Sequence, residues 1–391
     1  MRPVHQPNTK MRTTRHAGAV LATWLIAASS SIWCATTCAA DEVTYPGQSW
    51  DVIPPASLSP ECKQGLNAAR DYLHTLDTTA LMAVQNGKVL FSYGPTDDVS
   101  AIASARKSIL SMMYGKYVAD GTINLDETIG DLGIDDIGGL LPIEREATVR
   151  DLLTARSGVY HPAANGGDNA AFAPPRGSHA PGTYFLYNNW DFNVAGTVFQ
   201  MQTKRGIFDA FAEDIAKPLQ LQDFDLARHR LRGDARKSRH LAYPFYLSTR
   251  DMARVGYLML EHGNWRGQQI VPRDWVKTIT TPVTAAADMR PRHTRHHQSD
   301  FDYGYLWWLL TEPPGSPLHG AYMAWGQYGQ FILVIPERQM VIAHKHEVPD
   351  DKFGSDRDRD VKWVQEKDFL QAARMLASAP CGQGMETEPL K

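Results

Sequence analysis

The spacing of apolar positions in the first part of the chain predicts a helix followed by a hairpin. Residues 57–76 place apolar side chains at helical intervals. Residues 81–85 and 88–93 are apolar runs of strand length, and they flank Asn86-Gly87, a dipeptide typical of a two-residue hairpin turn. We therefore expect one helix and then two antiparallel strands.

Helical spacing dominates the middle of the chain. The helices predicted there are 104–119, 190–202, 206–216 and 248–262. Asp120-Gly121 ends the first, because glycine suits the left-handed position after a helix. Ser248-Thr249-Arg250-Asp251 predicts a capping box at the start of the last. A long loop at 159–182, rich in glycine and proline, lies between these helices.

Strand patterns return in the last third of the chain. They cover 305–310, 321–326, 330–335 and 340–346, and a closing helix is predicted at 361–377. Strands towards both ends with helices between them predict an α+β fold, in which helices flank an antiparallel sheet. About 350 residues after the first forty exceed what one core usually serves. We therefore assign 41–121 and 248–391 to an α/β lobe and 122–247 to an inserted helical lobe.

The first forty residues differ in character from the rest. They hold four basic residues and no acidic one, then an apolar stretch at 17–28, and they end in Cys38-Ala39-Ala40. This order is typical of a secretory signal peptide, so we expect residues 1–40 to direct the protein to the periplasm or the medium. An uncleaved membrane anchor is the alternative, because the uncharged stretch 17–40 is just long enough to span a bilayer.

Composition and charge exclude several classes of protein. With 43% hydrophobic and 21% charged residues the chain is of ordinary globular composition, neither disordered nor fibrous. The 40 basic and 43 acidic residues give a net charge of −3, which becomes −7 without residues 1–40. A negative body gives no electrostatic reason to bind nucleic acid or an anionic membrane surface.

One motif in the chain combines a nucleophile with a base. Ser104-Ala105-Arg106-Lys107 opens the predicted helix 104–119, and residues three apart project from the same helix face. A serine hydroxyl needs a nearby base to act as a nucleophile, and a desolvated lysine amine can serve. The helix N-terminus adds N–H donors where an oxyanion would form. Alone, the motif fits a helix-capping serine equally well, since about one Ser-x-x-Lys is expected by accident.

Two further motifs follow in order along the chain. Tyr187-Asn188-Asn189 precedes the helix 190–202, and Ala324-Trp325-Gly326-Gln327 lies on a late strand. This series resembles the penicillin-recognising serine hydrolases, most of all the class C β-lactamase-like group with its esterase-like members. Similar stretches elsewhere are 120–126, 149–158, 248–254, 303–305 and 335–337, so the resemblance covers about residues 60–375. It implies a β-lactamase/transpeptidase-like fold.

The resemblance also implies catalytic roles. Ser104 would be the acyl-forming nucleophile, and Lys107 would lower the barrier to removing its proton. Tyr187 would act as general base on Ser104 and as acid to the leaving group. Asn189 would position Lys107 and the substrate. No metal or cofactor is implied.

The third motif departs from the family pattern. Many relatives have a cation at the position of Ala324, where it holds a substrate carboxylate, and alanine cannot do so. Trp325 would instead provide an aromatic surface beside a less charged acyl group. Gly326 and Gln327 would form the strand edge, and the N–H groups of Gln327 and Ser104 would form the oxyanion hole.

We therefore expect an exported serine hydrolase that acts on a small ester, amide or peptide through an acyl-enzyme. Carboxylesterase or small-amide hydrolysis is favoured. The alternatives are a β-lactamase or D-amino-acid peptidase, and a non-catalytic family member that binds cell-wall peptide. The sequence leaves the substrate and the oligomeric state open.

Only Cys62 and Cys381 lie beyond the first forty residues. An even pair in an oxidising compartment is typical of a disulfide, while two free thiols are the alternative. The resemblance favours the bridge, because it implies that the first and last helices pack side by side and antiparallel.

Other polar clusters are interpreted more simply. His344-x-His346 lacks a third metal ligand, so a strand-edge pair is favoured over a metal site. Asp356-x-Asp358-x-Asp360 lacks the glycine and closing glutamate of a calcium loop. His161 is a candidate for substrate contact. The arginine- and histidine-rich loop 283–300 has no assigned role.

Overall fold

A computed structural model describes residues 43–289, 300–347 and 362–381 of the chain. Three segments with sequence predictions therefore lie outside the described residues. They are the signal peptide 1–40, positions 290–299 of the arginine- and histidine-rich loop, and the aspartates at 356–360.

The strands of the described chain form one large antiparallel sheet and two small ribbons. They are β1 (Ala80–Gln85), β2 (Lys88–Tyr93), β3 (Ser100–Ala101), β4 (Tyr246–Leu247), β5 (Asn264–Trp265), β6 (Gln268–Gln269), β7 (Phe301–Tyr303), β8 (Trp308–Leu310), β9 (Tyr322–Gly326), β10 (Gln330–Ile335) and β11 (Met340–Lys345). The large sheet has the order β2-β1-β11-β10-β9-β8-β7, and β3 pairs with β4 and β5 with β6. The predicted α+β fold is confirmed.

The helices of the described residues follow the sequence pattern closely. They are α1 (Pro60–His74), α2 (Ala105–Ala119), α3 (Val149–Leu153), α4 (Asn189–Thr203), α5 (Ile207–Phe211), α6 (Lys217–Leu219), α7 (Thr249–Leu260), α8 (Arg273–Ile279) and α9 (Glu366–Ser378). The helix predicted at 206–216 is α5 continued by a single π-turn, Ala212–Ala216. None of the helices in these ranges combines the length and apolar character needed to cross a bilayer.

The β1–β2 hairpin confirms the turn predicted from sequence. Asn86 and Gly87 both have positive φ, 48° and 75°. That combination matches the right-handed twist of the flanking strands. Val84 and Gln85 then pair with Val89 and Lys88 across the turn.

The large sheet is covered on both faces. Phe331 on β10 stacks on Phe369 of α9, with ring centroids 4.4 Å apart. The next residue, Ile332, and Val341 of β11 instead meet Gly256 of α7, where a Cβ would overlap both side chains. Successive strand residues point to opposite faces, so α9 lies on one face and α7 on the other.

A disulfide joins the first and last helices. Cys62 near the start of α1 is bonded to Cys381 just after α9, with their Cα atoms 4.8 Å apart. At the opposite ends of the two helices, burial and then the charge of the nearby Asp368 raise the pKa of Tyr72. The two helices therefore run antiparallel, and the favoured pairing is present.

Two details of the sequence prediction were wrong. The strand predicted at 305–310 begins only at Trp308, because Leu306 has φ 64° and the chain turns back on β7. Ser248 caps α7 by accepting from the backbone N–H of Asp251, but the reciprocal bond of a capping box is absent. The Asp251 carboxylate accepts instead from the N–H groups of Gln222 and Asp223.

The part of the chain that contains the predicted helical lobe, 122–247, is bounded by a small strand pair, β3 and β4. Ser100 of β3 pairs with Leu247 of β4, so the chain leaves and re-enters the sheet region at one place. All strands of the large sheet come from Ala80–Tyr93 or from residues after 300, as the sequence pattern indicated. The described residues from Val43 onward form one compact unit. The division into two lobes stays a prediction.

Candidate active site

Ser104 lies at a sharp turn between β3 and α2. Ala103, immediately before it, has φ 47°, a left-handed conformation that costs free energy for an L-residue. A backbone hydrogen bond stabilises the turn, because the N–H of Ile102 donates to the carbonyl oxygen of Phe245 at 3.0 Å. Ser104 is the N-cap of α2, but its side chain makes no capping bond. Its hydroxyl faces Lys107 instead.

Lys107 connects the first two sequence motifs. Its Nζ lies 2.9 Å from Ser104 Oγ, 2.7 Å from the Tyr187 hydroxyl and 2.8 Å from Asn189 Oδ1. An ammonium group can donate to all three oxygens, whereas a neutral amine can donate to two of them and accept from a hydroxyl. The structure therefore brings together four residues that are up to 85 positions apart in sequence.

The surroundings of Lys107 disfavour its charge. The residue is 1% exposed. Burial, and then the positive charge of the neighbouring Arg106, lower the pKa of Lys107 well below its ordinary value. The rings of Tyr187 and Phe192 lie 4.3 and 4.4 Å from Nζ and offer only weak compensation.

Tyr187 and Asn189 reach Lys107 because Asn188 between them fixes the start of α4. The Asn188 side chain accepts from the N–H of Trp190 and donates to the carbonyl oxygen of Val159 at 2.8 Å. Asn189 Nδ2 then donates to the carbonyl oxygen of Gly166 at 2.6 Å. The long loop 159–182 is thereby attached to the residues around Lys107.

The third motif approaches the start of α2 from the sheet. Strand β8 pairs with β9 only at Tyr322 and Met323. The remaining part of this edge of β9, which includes Gly326, lies towards the start of α2. A Cβ on Gly326 would overlap the carbonyl oxygen of Ile102 and lie 3.1 Å from the Ala105 nitrogen. Only glycine allows this approach. Gln327, the next residue, is half-buried beside it.

Trp325 lies in an aromatic cluster rather than directly against Lys107. Its ring centroid is 5.1 Å from that of Trp308 and 5.5 Å from that of Phe301. Trp308 is in turn 5.3 Å from Tyr187, so it separates Trp325 from the tyrosine. Ala324 points to the other face, opposite Ile332, and is fully buried.

Some of these residues carried no sequence signal of their own. Phe192 is a helix residue whose apolar character only predicted a core position. The ring of Tyr303 packs 6.2 Å from the ring of Tyr187, whereas the family resemblance at 303–305 assigns Tyr303 no role in the site. Arg106 lies inside the Ser-x-x-Lys motif, at a position where the pattern accepts any residue.

Two histidines considered from sequence, His161 and His344, are held by hydrogen bonds to groups of the protein. The ring nitrogens of His161 face the carbonyl oxygens of Pro162 and Ile137, and the residue is buried. His344 hydrogen-bonds to the Gly329 carbonyl and the Thr78 hydroxyl, and burial lowers its pKa to about 4. Within the described ranges, no three potential ligands come together as a metal site.

Comparisons with known proteins bear on the family and the fold of the chain. The family model described as Beta-lactamase matches residues 69–360. An uncharacterized protein from Alkalihalophilus pseudofirmus is 23% identical over 261 residues, which are 61% of this chain and 71% of that protein.

Solved structures share the fold at low sequence identity. One is described as a 6-aminohexanoate-dimer hydrolase from Bacillus anthracis, with a TM-score of 0.60, 17% identity, and coverage of 85% of this chain and 89% of that one. Another is EstCE1, described as a hydrolase with promiscuous acyltransferase activity, with a TM-score of 0.56, 13% identity, and coverage of 82% and 99%.

Proposed function

Because the chain belongs to the beta-lactamase family of serine hydrolases, we propose that it cleaves an ester or a small amide through an acyl-enzyme on Ser104. The observation that carries this proposal is the position of Lys107 Nζ, within 2.9 Å of Ser104 Oγ and 2.7 Å of the Tyr187 hydroxyl. A serine nucleophile, a desolvated amine and a phenol that are joined by hydrogen bonds supply the nucleophile and the proton-transfer groups that acyl transfer uses.

The first step forms the acyl-enzyme. Ser104 Oγ attacks the carbonyl carbon of the substrate while its proton passes to the Lys107–Tyr187 pair. The tetrahedral intermediate then collapses, the carbonyl carbon releases the alcohol or amine, and that leaving group takes the proton through Tyr187. A water molecule repeats the sequence in the second step, giving the free acid and restoring Ser104.

The oxyanion is assigned to two backbone groups. The N–H of Ser104 opens helix α2, where the helix dipole favours negative charge. The N–H of Gln327 follows Gly326, whose close approach to Ile102 and Ala105 supports its placement beside the nucleophile. Asn189 holds Lys107 and connects it to the long loop.

The third motif favours an uncharged substrate over a β-lactam or a D-amino-acid peptide. Ala324 is buried against the sheet and offers no cation for a substrate carboxylate. Trp308, which packs next to Tyr187, and Trp325 behind it are buried apolar side chains on this side of the Lys107–Tyr187 pair. The solved structures of similar fold that are described as a 6-aminohexanoate-dimer hydrolase and as EstCE1, a hydrolase with promiscuous acyltransferase activity, are compatible with this choice.

Export to an oxidising compartment is part of the proposal. The Cys62–Cys381 disulfide supports it, since such bonds persist mainly outside the reducing cytosol. The signal-like residues 1–40 support it as well. N-terminal sequencing of the mature protein tests it, and an intact Met1 in an exported form would favour the uncleaved anchor.

A substrate panel with a matched active-site variant tests the activity. We expect wild type to hydrolyse p-nitrophenyl esters and to be labelled by a fluorophosphonate, and Ser104→Ala to lose both. Ser111→Ala is a suitable control, because it removes a buried serine hydroxyl further along the same helix that has no hydrogen-bond partner in the described residues. Unchanged labelling of Ser104→Ala would overturn the assignment.

The same panel separates the alternatives. Efficient turnover of a chromogenic cephalosporin or of D-amino-acid peptides would place the protein among β-lactamases or peptidases. Stoichiometric acylation without turnover would identify a binding member of the family.

A further inference from the structure

Arg106 and Lys107, which are adjacent on α2, are connected to one loop through hydrogen bonds of two asparagines on α4. Lys107 Nζ donates to Asn189 Oδ1, and Asn189 Nδ2 donates to the carbonyl oxygen of Gly166. One turn further along α4, the Asn193 side chain accepts from Arg106 at 3.3 Å and donates to Asn165 Oδ1 at 2.8 Å. Arg106 therefore belongs to the same hydrogen-bonded structure as Lys107.

The charge of Arg106 has no acidic partner in the described part of the chain. The residue is 4% exposed and forms no ion pair there. Its guanidinium carbon lies 4.1 Å from the ring centroid of Tyr243, and its second terminal nitrogen is buried without a hydrogen-bond partner. A buried arginine is normally paired, because an unpaired buried charge is strongly unfavourable. This one is retained directly beside Lys107.

We propose that Arg106 is a positioning residue whose unpaired charge holds the neighbouring Lys107 in its proton-free form, ready to receive the proton of Ser104. The inference deepens the proposed function and rests on it. Two positive charges on adjacent residues repel each other strongly in a dry interior, and arginine side chains as a class keep their proton in proteins. The proton that is lost is therefore that of Lys107.

The other titratable groups around Lys107 do not cancel this effect. Burial raises the pKa of Asp191 on α4 well above its usual value, and the carboxyl accepts from the Ser157 hydroxyl at 2.6 Å. Burial likewise raises the pKa of Tyr303 strongly and that of Tyr243 to about 12, so both phenols stay neutral. Tyr187 is bonded to Lys107 itself.

Within the ranges that the structure describes, the remaining elements packed on α2 add no charge at this end of the helix. Ala324 and Gly326 of β9, and Gln330 of β10, face it from the sheet, and none of them titrates. Helix α8 meets α2 near its far end, where Trp275 contacts Gly115. Among the described residues, Arg106 is thus the fixed charge that acts on Lys107, and it adds to the larger effect of burial.

Direct titration of Lys107 tests the proposal without relying on turnover. The folded full-length protein is labelled with ¹³C,¹⁵N-lysine, and the Lys107 signal is identified by its loss in Lys107→Arg. We expect Arg106→Met to raise the titration midpoint of Lys107 by about one to two pH units. Arg106→Lys, which keeps the charge, should leave the midpoint within about 0.3 unit of wild type.

Two further variants complete the experiment. Asn193→Asp places a carboxylate on the Arg106 guanidinium and should raise the Lys107 midpoint in the same direction, so it decides the question if Arg106→Met does not fold. Lys116→Met removes a positive charge from the exposed far end of the same helix and should change nothing. An unchanged midpoint in the folded charge-cancelling variants would overturn the proposal, as would a shift in Arg106→Lys as large as in Arg106→Met.

Activity supplies the second readout. In Arg106→Met the acid limb of log kcat/KM against pH should move up with the Lys107 midpoint, while the plateau at high pH changes less than about threefold. A plateau lowered equally at every pH would mean a purely structural role and overturn the proposal. Turnover that survives in Ser104→Ala would instead refute the proposed function, and the Lys107 midpoints would still report on Arg106.

Discussion

Gly326 on the sheet lies against the backbone of Ile102, two residues before the nucleophile. No side chain separates the two, and a Cβ at Gly326 would overlap the Ile102 carbonyl oxygen. The distance between the edge of β9 and the start of α2 is thus set by backbone contact, not by flexible side chains.

Gly326→Ala should therefore impair catalysis more than folding. The added methyl group must displace either the strand edge or the serine turn, and a shift of about 1 Å in a catalytic group can cost about 100-fold in rate. We expect kcat/KM to fall about 100-fold. Gly47→Ala is the matched control, because a Cβ there meets only Ser49 O at 3.9 Å. Gly326→Ala with near-normal kcat/KM would contradict the assigned oxyanion site.

Tyr187→Phe should separate the phenol's chemistry from its packing. The ring contacts with Phe192 at 4.7 Å and Trp308 at 5.3 Å remain, whereas the hydroxyl beside Lys107 is lost. We expect kcat to fall by about 10²–10⁴, with the free energy of unfolding changed by no more than about 1 kcal/mol. Tyr184→Phe, at a half-buried neighbour, serves as control. More than a tenth of wild-type kcat in Tyr187→Phe would exclude it as the proton carrier.

A second buried lysine should make stability depend on pH. Lys345 donates from β11 to the carbonyl oxygens of Ser100 at 3.1 Å and Leu247, which lie on β3 and β4. Burial lowers its pKa to about 7 from 10.5, although Glu347 and Asp98 oppose the shift. Between these two pH values the unfolded chain holds a proton that the folded protein has released.

The free energy of unfolding should therefore rise with pH across that window, by at most about 1.4 kcal/mol per pH unit from this residue. The variant Lys345→Met lacks this pH-dependent contribution to the free energy of unfolding. In urea unfolding at pH 6, 7.5 and 9, the free energy of unfolding of wild type should increase relative to that of Lys345→Met as the pH rises. The exposed Lys88→Met on β2 provides the comparison. A wild-type advantage that stays constant with pH would show that Lys345 does not release its proton.

Reducing the Cys62–Cys381 disulfide should lower stability without abolishing the site. The bond closes a loop with a sequence separation of 319, so it restricts the unfolded chain strongly. We expect the double variant Cys62→Ser, Cys381→Ser to lose about 2–4 kcal/mol in the free energy of unfolding. Dithiothreitol should destabilise wild type and leave the variant unaffected. Equal sensitivity of both proteins to the reductant would point to another cause.

Local patterns in the sequence predicted most of the fold. Asn86-Gly87 identified the hairpin, and Ser104-x-x-Lys107 stood at the true start of α2, because both signals depend only on neighbouring residues. The strand predicted at 305–310 was wrong because Leu306 takes a left-handed conformation that its side chain does not favour. Tertiary pairing with β7 overrode the local preference.

The candidate site was predictable only where residue type carries chemistry. Serine, lysine, tyrosine and asparagine could be selected by role, and the structure brings Ser104, Tyr187 and Asn189 to Lys107. Trp325 could not be placed, because its direction depends on the pairing of β9 with β10. Arg106 carried no sequence signal, because only the tertiary structure shows whether a charged side chain is buried without an acidic partner.

The Cys62–Cys381 bond makes nearly the whole described chain a covalent ring. A single cut in an exposed connection, such as the segment 226–234 between α6 and β4, opens the ring but leaves both fragments attached to each other. A protease-nicked molecule would run as one band without reductant and as two with it. Damage that would separate an unbridged chain into pieces therefore leaves α1 and α9 attached to each other.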